Sequence, residues 1–309
     1  GRQTLTPVDI LWLEGIADPE VVKAMEERIE NIDIDALLST GDLEEYIAGE
    51  LDTPFPLMQY TQRPDRYSHG LCQGRIGILL EGIPLGYLAP AVLGDHLRAP
   101  EDRSENWMVA SSLAVLRWLC LLGTLYLPAV YVAVVNFHPE MIPLRLALSI
   151  TAARRDVPFS ALFETVLLLV AFEILQEAGL RLPQSIGQTV SILGGLVVGS
   201  AAVEARLISP AVLVVVAAAG IAGYTMPSQD LAGALRIWRL LFTLLAGTGG
   251  LFGVTAGTAL LIGHLASLES FGAAYLEPFA QGEPVLRQPL PEDKLRPAHL
   301  KSENRRRQR

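Results

Sequence analysis

The residues with the clearest potential for chemistry form stripes of small or weakly polar side chains in segment 183–209. Between Gln188 and Glu204 no side chain is charged, so a helix here nearly crosses the roughly 30 Å hydrocarbon core of a membrane. Small residues recur at every fourth position and therefore share one helix face, namely Gly187, Ser191, Gly195 and Gly199. The G-x-x-x-G spacing within this set lets transmembrane backbones approach closely.

A second stripe on the same segment has the character of a helix that lines water. It comprises Gln188, Ser191, Gly195, Val198 and Ala202. In a pore, polar rings replace part of an ion's water shell, and apolar rings gate by dewetting. Tight helix packing is the alternative explanation, and the two are compatible because helices around a pore also pack closely.

Three carboxylates lie in or beside apolar segments. Glu164 and Glu173 fall within a predicted helix over 159–176, and Glu204 stands at a turn that ends at Pro210. A carboxylate inside a spanning helix is expensive and usually faces a partner or a cavity. Alternatively, helix 159–176 lies partly outside the hydrocarbon layer, and the sequence leaves both explanations open.

A proline-rich segment interrupts the apolar region between two predicted helices. Two prolines within five residues exclude a regular helix, and irregular backbone at membrane depth must be buried in protein or face water. We therefore expect a functional break at His138, Pro139, Glu140 and Pro143. A solvated loop corner is the alternative.

The composition favours an integral membrane protein with a soluble flank. Of 309 residues, 50% are hydrophobic and only 18% are charged, below the roughly 25% of soluble domains. The predicted fold is an α-helical multi-pass membrane domain (107–279) of about four to five spans plus a broken or partial helix. A small cytosolic α/β domain (1–106) precedes it, and a disordered basic tail (280–309) follows.

Within the N-terminal domain, local signals predict short elements. Val8–Leu13 is a strand, and a helix from Pro19 to about Asn31 has Asp18 as its N-cap. A second helix after Ser39 or Gly41 should direct three side chains inward, those of Leu43, Tyr46 and Ile47.

A β-hairpin is predicted next in this domain. It runs from Arg75–Leu80 through a turn to Leu85–Leu88. Pro84 should restrict the second strand to a sheet edge.

Further apolar helices are predicted in the second half. They cover 108–135, 143–153, 211–224 and 240–262, with a connecting or interfacial segment at 229–239. In the last helix a second close-packing face repeats every four residues, at Gly249, Gly253 and Gly257. His264 should lie at the membrane interface.

Other function classes find little support. Cys72 and Cys120 stand apart, with no histidine cluster, so we expect neither a disulfide framework nor a metal site. Nucleophile-elbow, zinc-protease, P-loop and dinucleotide fingerprints are absent from the sequence. We therefore expect no enzyme activity and no cofactor, and a net charge of −9 gives no reason to expect nucleic acid.

From about Arg63 to Phe279 the chain resembles the A subunit of GerA-type spore germination receptors. The resemblance rests on R-P-D-R (63–66), G-R-I-G-I-L-L-E-G-I-P (74–84), H-P-E-M-I-P (138–143), V-P-F (157–159), F-E-I-L-Q-E-A-G (172–179), R-L-P-Q-S-I-G-Q-T-V-S-I-L-G-G-L-V-V-G (181–199), A-V-E-A-R-L-I-S-P-A (202–211) and H-L-A-S-L-E-S-F-G-A-A-Y-L-E-P-F (264–279).

The resemblance implies a protein of the endospore inner membrane with a cytosolic N-terminal region. Its implied partners are a transporter-like B subunit that senses the nutrient, a lipoprotein C subunit, further copies of itself and membrane lipid. The implied activity is that of an oligomeric, nutrient-gated cation channel that triggers germination.

Two points qualify this resemblance. The family usually has a longer N-terminal region of two subdomains, of which only the second matches, so we expect an N-terminally shortened chain. A sporulation-stage A-like relative and a secondary transporter or transport-associated subunit remain alternatives.

Overall fold

The computed structural model describes residues 2–3, 5–37, 40–48, 52–181 and 199–277. They form two compact units. The N-terminal unit combines Gly1–Leu116 with Ile262–Arg309, and the helical unit is Arg117–Leu261. The domain boundaries that the sequence suggested, after 106 and 279, stay predictions.

The N-terminal unit contains a four-stranded antiparallel sheet. Its strands are β1 (Val8–Leu11), β2 (Gln59–Thr61), β3 (Ile76–Leu80) and β4 (Gly86–Ala89), in the order β1-β3-β4-β2. The predicted β1 strand and the β3–β4 hairpin are confirmed. The edge position predicted for β4 is wrong, because the strand begins after Pro84 and its ladder does not need the missing N–H of that proline.

Three helices cover this sheet: α1 (Pro19–Glu30), α2 (Thr40–Ala48) and α3 (Pro64–Cys72). The N-cap prediction is confirmed, since the Asp18 carboxylate accepts the N–H of Glu20 at 3.1 Å. The inward prediction for Tyr46 is wrong, because its side chain is 50% exposed. The fully buried side chains between helices and sheet include Met25, Leu43, Ile47, Ile76 and Ile78.

A buried ion pair lies beside the sheet of the N-terminal unit. Arg75 and Asp95, the latter in the short helix α4 (Leu93–His96), approach to 2.6 Å and are both almost fully buried. The Gln59 side chain accepts from Arg75 at 3.3 Å and donates to the Asp95 carbonyl at 3.1 Å. His96 follows, only 2% exposed, and its ring centroid lies 6.4 Å from that of Tyr275. The sequence did not predict this cluster.

The chain after the last helix completes the N-terminal unit. A two-residue ladder joins β5 (Glu269–Ser270) to β6 (Ala273–Ala274). The Ser270 hydroxyl donates to the Leu57 carbonyl at 2.7 Å and accepts the Ala91 N–H at 3.1 Å. Phe271 joins the apolar core around the sheet, and the Arg28 guanidinium lies 4.6 Å from its ring centroid.

Helices account for most of the described part of the helical unit. They are α5 (Trp107–Phe137), α6 (Leu144–Arg154), α7 (Ala161–Arg181), α8 (Pro210–Gly223) and α9 (Gln229–Ser267), and residues 199–204 are also helical. A 3₁₀ turn at Pro139–Met141 lies between α5 and α6, and another, at Pro100–Arg103, precedes α5 in the N-terminal unit. Among the described helices, α5 and α9 are long and apolar enough to cross a membrane, and α8 is a shorter apolar helix. Elements predicted at 108–135, 143–153, 159–176 and 211–224 are therefore present, although the number of membrane spans is only partly established.

The greatest departure from prediction concerns α9. Helix begins at Gln229, so the predicted connecting segment 229–239 is itself helical. The predicted uninterrupted span 240–262 is broken instead at Gly250, whose φ of 59° and ψ of −141° are not helical. A positive φ is open to glycine at little cost, because glycine has no Cβ.

We predict that acid loosens the N-terminal unit through His96. Burial lowers the pKa of His96 from 6.5 to about 4, so the stability contributed by its neutral form is complete above pH 6.5 and is lost as pH falls towards 4. Each unit of pKa difference changes the folding constant about tenfold. Protection of β3 and β4 amides from hydrogen exchange, corrected for intrinsic rates, should therefore fall about 15-fold from pH 6.5 to pH 5.

A non-titrating variant provides the control for this prediction. His96→Gln should lose most of the pH response, whereas His69→Gln, at a half-buried position in α3, should retain it. Burial tends to raise the pKa of Asp95 but the charge of Arg75 lowers it overall, so Asp95 adds to the loss only at lower pH. An unchanged response in His96→Gln would contradict the assignment to His96.

Candidate functional site

The predicted pore stripe falls largely on residues that the structure does not describe. Gln188, Ser191, Gly195 and Val198 lie outside the described residues, as does Gly187 of the packing stripe. Residues 199–204 are helical, and Ala202 is half-buried. A Cβ on the buried Gly199 would lie 3.1 Å from Leu213 in α8, so the described end of this segment packs closely. The pore role stays a prediction.

Two interruptions of the helical backbone lie side by side in the helical unit. Helix α5 ends at Phe137 and the 3₁₀ turn follows His138. A Cβ on Gly250 would lie 3.0 Å from the Phe137 Cβ and 3.3 Å from the His138 Nε2. The sequence predicted the first interruption but not the second, for which the adjacent glycines at 249 and 250 were the available signal.

The side chains of the predicted broken segment are mostly accessible. Pro139, Glu140 and Pro143 are exposed, and His138 is half-buried. The His138 Nδ1 lies 3.5 Å from the Glu140 Oε1. In this segment the His138 side chain therefore lies at the Gly250 break, whereas Glu140 is exposed.

The break at Gly250 folds α9 back on itself. In a straight helix, residues 242 and 257 would be about 22 Å apart. Here a Cβ on Gly257 would lie 3.2 Å from the Phe242 ring. The Tyr126 side chain touches both halves of α9, with its ring 5.1 Å from that of Phe242 and its hydroxyl 3.1 Å from that of Thr258.

The predicted glycine face on one continuous helix is therefore not formed. Gly253 and Gly257 do pack closely, but against the first half of α9, where Leu245 lies. A Cβ on Gly253 would collide with the Leu245 carbonyl oxygen, whereas a Cβ on Gly249 would have nothing within 4 Å. Because the backbone turns between Gly249 and Gly253, Gly249 faces open space whereas Gly253 packs against the first half of α9.

Glu164 lies at the centre of a buried polar cluster. Its side chain has no exposed surface and lies 3.3 Å from the Arg154 guanidinium. It also accepts the N–H of Ser209 at 2.8 Å, which is the N-cap residue of α8. The Tyr131 hydroxyl adjoins the same groups. A carboxylate at a helix N-terminus is favourable because the first N–H groups lack intrahelical partners.

The other two carboxylates have contrasting surroundings. Glu173 is 35% exposed and pairs with two arginines of α9, at 2.6 Å with Arg239 and 3.5 Å with Arg236. Glu204 is exposed. Glu164 and Glu173 both have arginine partners within the protein, and the position of their helix relative to a membrane stays a prediction. Sequence spacing could not indicate these partners, because they come from other helices.

Arginines compensate the charge of both paired carboxylates in the helical unit. In the described ranges, no group of three or more His, Cys, Asp or Glu side chains is placed to bind a metal. Glu173 accepts hydrogen bonds from two arginines, whereas Glu164 accepts a backbone N–H and lies beside the Arg154 charge. The chemistry of both carboxylates is therefore the positioning of helices and of charge.

We predict that Gly253→Ala destabilises the helical unit, whereas Gly249→Ala does not. The first substitution forces a Cβ against the Leu245 carbonyl and should cost about 1–3 kcal/mol. The second enters open space and should be neutral or slightly stabilising through helix propensity. Thermal unfolding of both variants in detergent would measure the difference. Equal melting temperatures would contradict the folded-back path of α9.

A second prediction concerns the buried charge of Glu164. Glu164→Gln keeps the shape but leaves the Arg154 charge unpaired, so we expect a loss of about 3 kcal/mol, a fall in melting temperature of roughly 6–12 °C. Adding Arg154→Gln should restore part of this loss, because no unpaired charge then remains. Glu204→Gln, at an exposed position, is the control and should melt like the wild type. A single Glu164→Gln change without effect would show that the pair is not tightly coupled.

Comparison with known proteins identifies the family of this chain. The family model described as Bacillus/Clostridium GerA spore germination protein matches residues 1–299. The chain is 41% identical over 286 residues to the "Uncharacterized membrane protein YfkQ" of Bacillus subtilis (strain 168), covering 92% of this chain and 56% of that protein. No solved structure matches the chain.

Two further relatives of Bacillus subtilis (strain 168) have names that refer to germination. "Spore germination protein KA" is 40% identical over 314 residues, covering 100% of this chain and 58% of that protein. "Spore germination protein A1" is 38% identical over 278 residues, covering 90% and 58%. The chain thus spans somewhat more than half the length of these curated relatives. With the family model matched over nearly its whole length, the chain belongs to the GerA family of spore germination proteins.

Proposed function

We propose that this chain is the A-type subunit of a spore germinant receptor and forms an oligomeric, nutrient-gated cation channel in the spore inner membrane. The observation that carries the proposal is family membership over residues 1–299, joined to relatives named as spore germination proteins. The proposed partners are a transporter-like B subunit and a lipoprotein C subunit. The N-terminal unit lies in the cytosol in this proposal.

The helical unit supports a membrane role through its internal pairing of polar groups. A charged group in hydrocarbon must face a partner or water, and both Glu164 and Glu173 are paired with arginines. Backbone that leaves the helix at membrane depth must be enclosed or wet, and Gly250 lies against Phe137 and His138. Helix α5 has the length of a membrane helix, and both α5 and α9 have the composition of one.

In the proposed channel, the segment that contains the polar stripe lines the path of the ion. Gln188 and Ser191 replace part of the water of an entering cation, Gly195 leaves the bore wide, and Val198 and Ala202 form an apolar gate. Close packing of the described end, at Gly199, supports a position among neighbouring helices.

A secondary transporter is the second candidate, because the structure adds a second backbone break. Transporters bind substrate where discontinuous helices meet, and the breaks after Phe137 and at Gly250 are adjacent. A channel and a transporter differ in the rate at which they move ions. Purified receptor complex in a planar bilayer should show discrete, nutrient-dependent single-channel currents if it is a channel, whereas a transporter gives none.

The gate prediction distinguishes a pore from a packing role. Val198→Ala shrinks the apolar constriction and lowers the barrier to wetting, so spores should release cations and germinate partly without nutrient. Val198→Thr should act in the same direction through its polarity. The measurement is potassium release from spores that contain normal amounts of receptor.

Cysteine substitution along 188–202 provides the matched test of the helix face. Water-soluble thiol reagents should alter ion release most at Gln188, Ser191, Gly195, Val198 and Ala202, and least at positions between them. If modification at none of these positions changes ion release, the segment does not line the ion path and only its packing role survives.

A further inference from the structure

A pocket of the helical unit gathers groups that the proposed channel does not use. It lies where α5, the second half of α7, the end of α8 and the beginning of α9 meet. Its polar lining consists of Thr124, Gln176, Tyr224, Arg236 and Arg239. The Gln176 amide donates to the Tyr224 hydroxyl at 3.1 Å.

The charges at this pocket do not balance. Two guanidinium groups face a single carboxylate, because Glu173 pairs with both Arg239 and Arg236. Arg239 is only 4% exposed, and its Nε has no hydrogen-bond partner, nor has the buried Gln176 Oε1. Glu177 and Asp230 belong to the same two helices but do not line the pocket. An excess cation at a partly buried position is stabilised by an anion that accepts from its free N–H groups.

Exposed apolar side chains are the chain neighbours of residues at this pocket. Next to Glu173, Gly220 and Arg236 along the chain are three isoleucines that are each more than 60% exposed, Ile174, Ile221 and Ile237. Tyr224 is 65% exposed, and Trp238 lies on the same turn of α9 as the arginines. Tyrosine and tryptophan are the residues that concentrate at the headgroup level of membranes. The arginines of the pocket therefore belong to the same helix segments as exposed apolar and aromatic side chains.

We propose that Arg236 and Arg239 bind the phosphodiester of an anionic phospholipid, whose acyl chains lie along the exposed isoleucines. A planar guanidinium donates two parallel hydrogen bonds to phosphate oxygens. The Arg236 side chain is 34% exposed and can therefore be reached by the lipid phosphate. The Arg239 guanidinium is buried and is held in place by its bond to Glu173. Basic pockets between membrane helices are suited to anionic headgroups. This inference rests on the membrane location that we propose above.

The test uses the full chain in nanodiscs that contain equal amounts of phosphatidylcholine and phosphatidylglycerol. Native mass spectrometry counts the lipids of each class that remain bound after release from the disc. Wild-type protein should retain phosphatidylglycerol in preference to phosphatidylcholine. Arg236→Gln should reduce retained phosphatidylglycerol about tenfold, since one charge-assisted contact is lost. Arg236→Lys keeps the charge without the planar fork and should give an intermediate value.

Arg145→Gln is the matched control. It removes the same charge from an exposed position in α6 and should leave lipid retention unchanged. A control that loses as much lipid as Arg236→Gln, or a wild type without preference, would overturn the proposal. Failure of the chain to enter nanodiscs would instead contradict the membrane location.

Inorganic phosphate separates the two sources of a phosphate group. Added at millimolar concentration, it should not displace phosphatidylglycerol, because it lacks the apolar contacts. Displacement that is lost in Arg236→Gln would show a site for free phosphate and would overturn the assignment to lipid.

Discussion

The helical unit depends on the positive φ of Gly250. At this residue α9 leaves the helical path, and its second half packs against its first. The contact is close because Gly253 and Gly257 present no side chain at the point where Phe242 and Leu245 approach. A residue with a Cβ at Gly250 would meet Phe137 as well as an unfavourable backbone conformation. One glycine thus determines both the path of α9 and the environment of the segment after α5.

Ion pairs at one buried and one partly exposed carboxylate join the helices of this unit. Glu164 joins α7 to Arg154 of α6 and to the first turn of α8. Nine residues along α7, Glu173 joins the same helix to α9. Removing one member leaves an unpaired charge in a poorly solvated place, whereas a shifted helix would separate both members. We infer that such pairs select one packing arrangement among the many that apolar surfaces alone would allow.

The sequence predicted elements well and contacts poorly. Capping by Asp18, the β3–β4 hairpin and the helices of the second half follow from local signals, and local signals are visible in a sequence. The break at Gly250 was missed because the four-residue spacing of Gly249, Gly253 and Gly257 favours an uninterrupted helix. The partners of Glu164 and Glu173 come from other helices, so no spacing rule identifies them. Tyr46 was misplaced because helical periodicity gives the apolar face only to within one residue.

The same limit applies to the N-terminal unit. Its apolar pattern indicates strands and helices. It does not indicate that Arg75 forms a buried ion pair with Asp95 and a hydrogen bond with Gln59. Nor does it indicate that Ser270 bonds to Leu57 and Ala91, from which it is separated by 213 and 179 residues. Such contacts join residues that are far apart in the sequence. The composition or periodicity of one short window therefore cannot predict them.

Ser270 and Phe271 also affect the order in which this protein is made. The sheet of the N-terminal unit is synthesised first, but part of its core is supplied by residues that follow α9. Translation at about 5–20 residues per second separates Ala91 from its partner Ser270 by roughly 9–36 s. During this interval Phe271 has not yet been synthesised, and the apolar side chains that it later contacts are not covered by it. The core of the N-terminal unit therefore cannot include Phe271 until the helical unit has been synthesised.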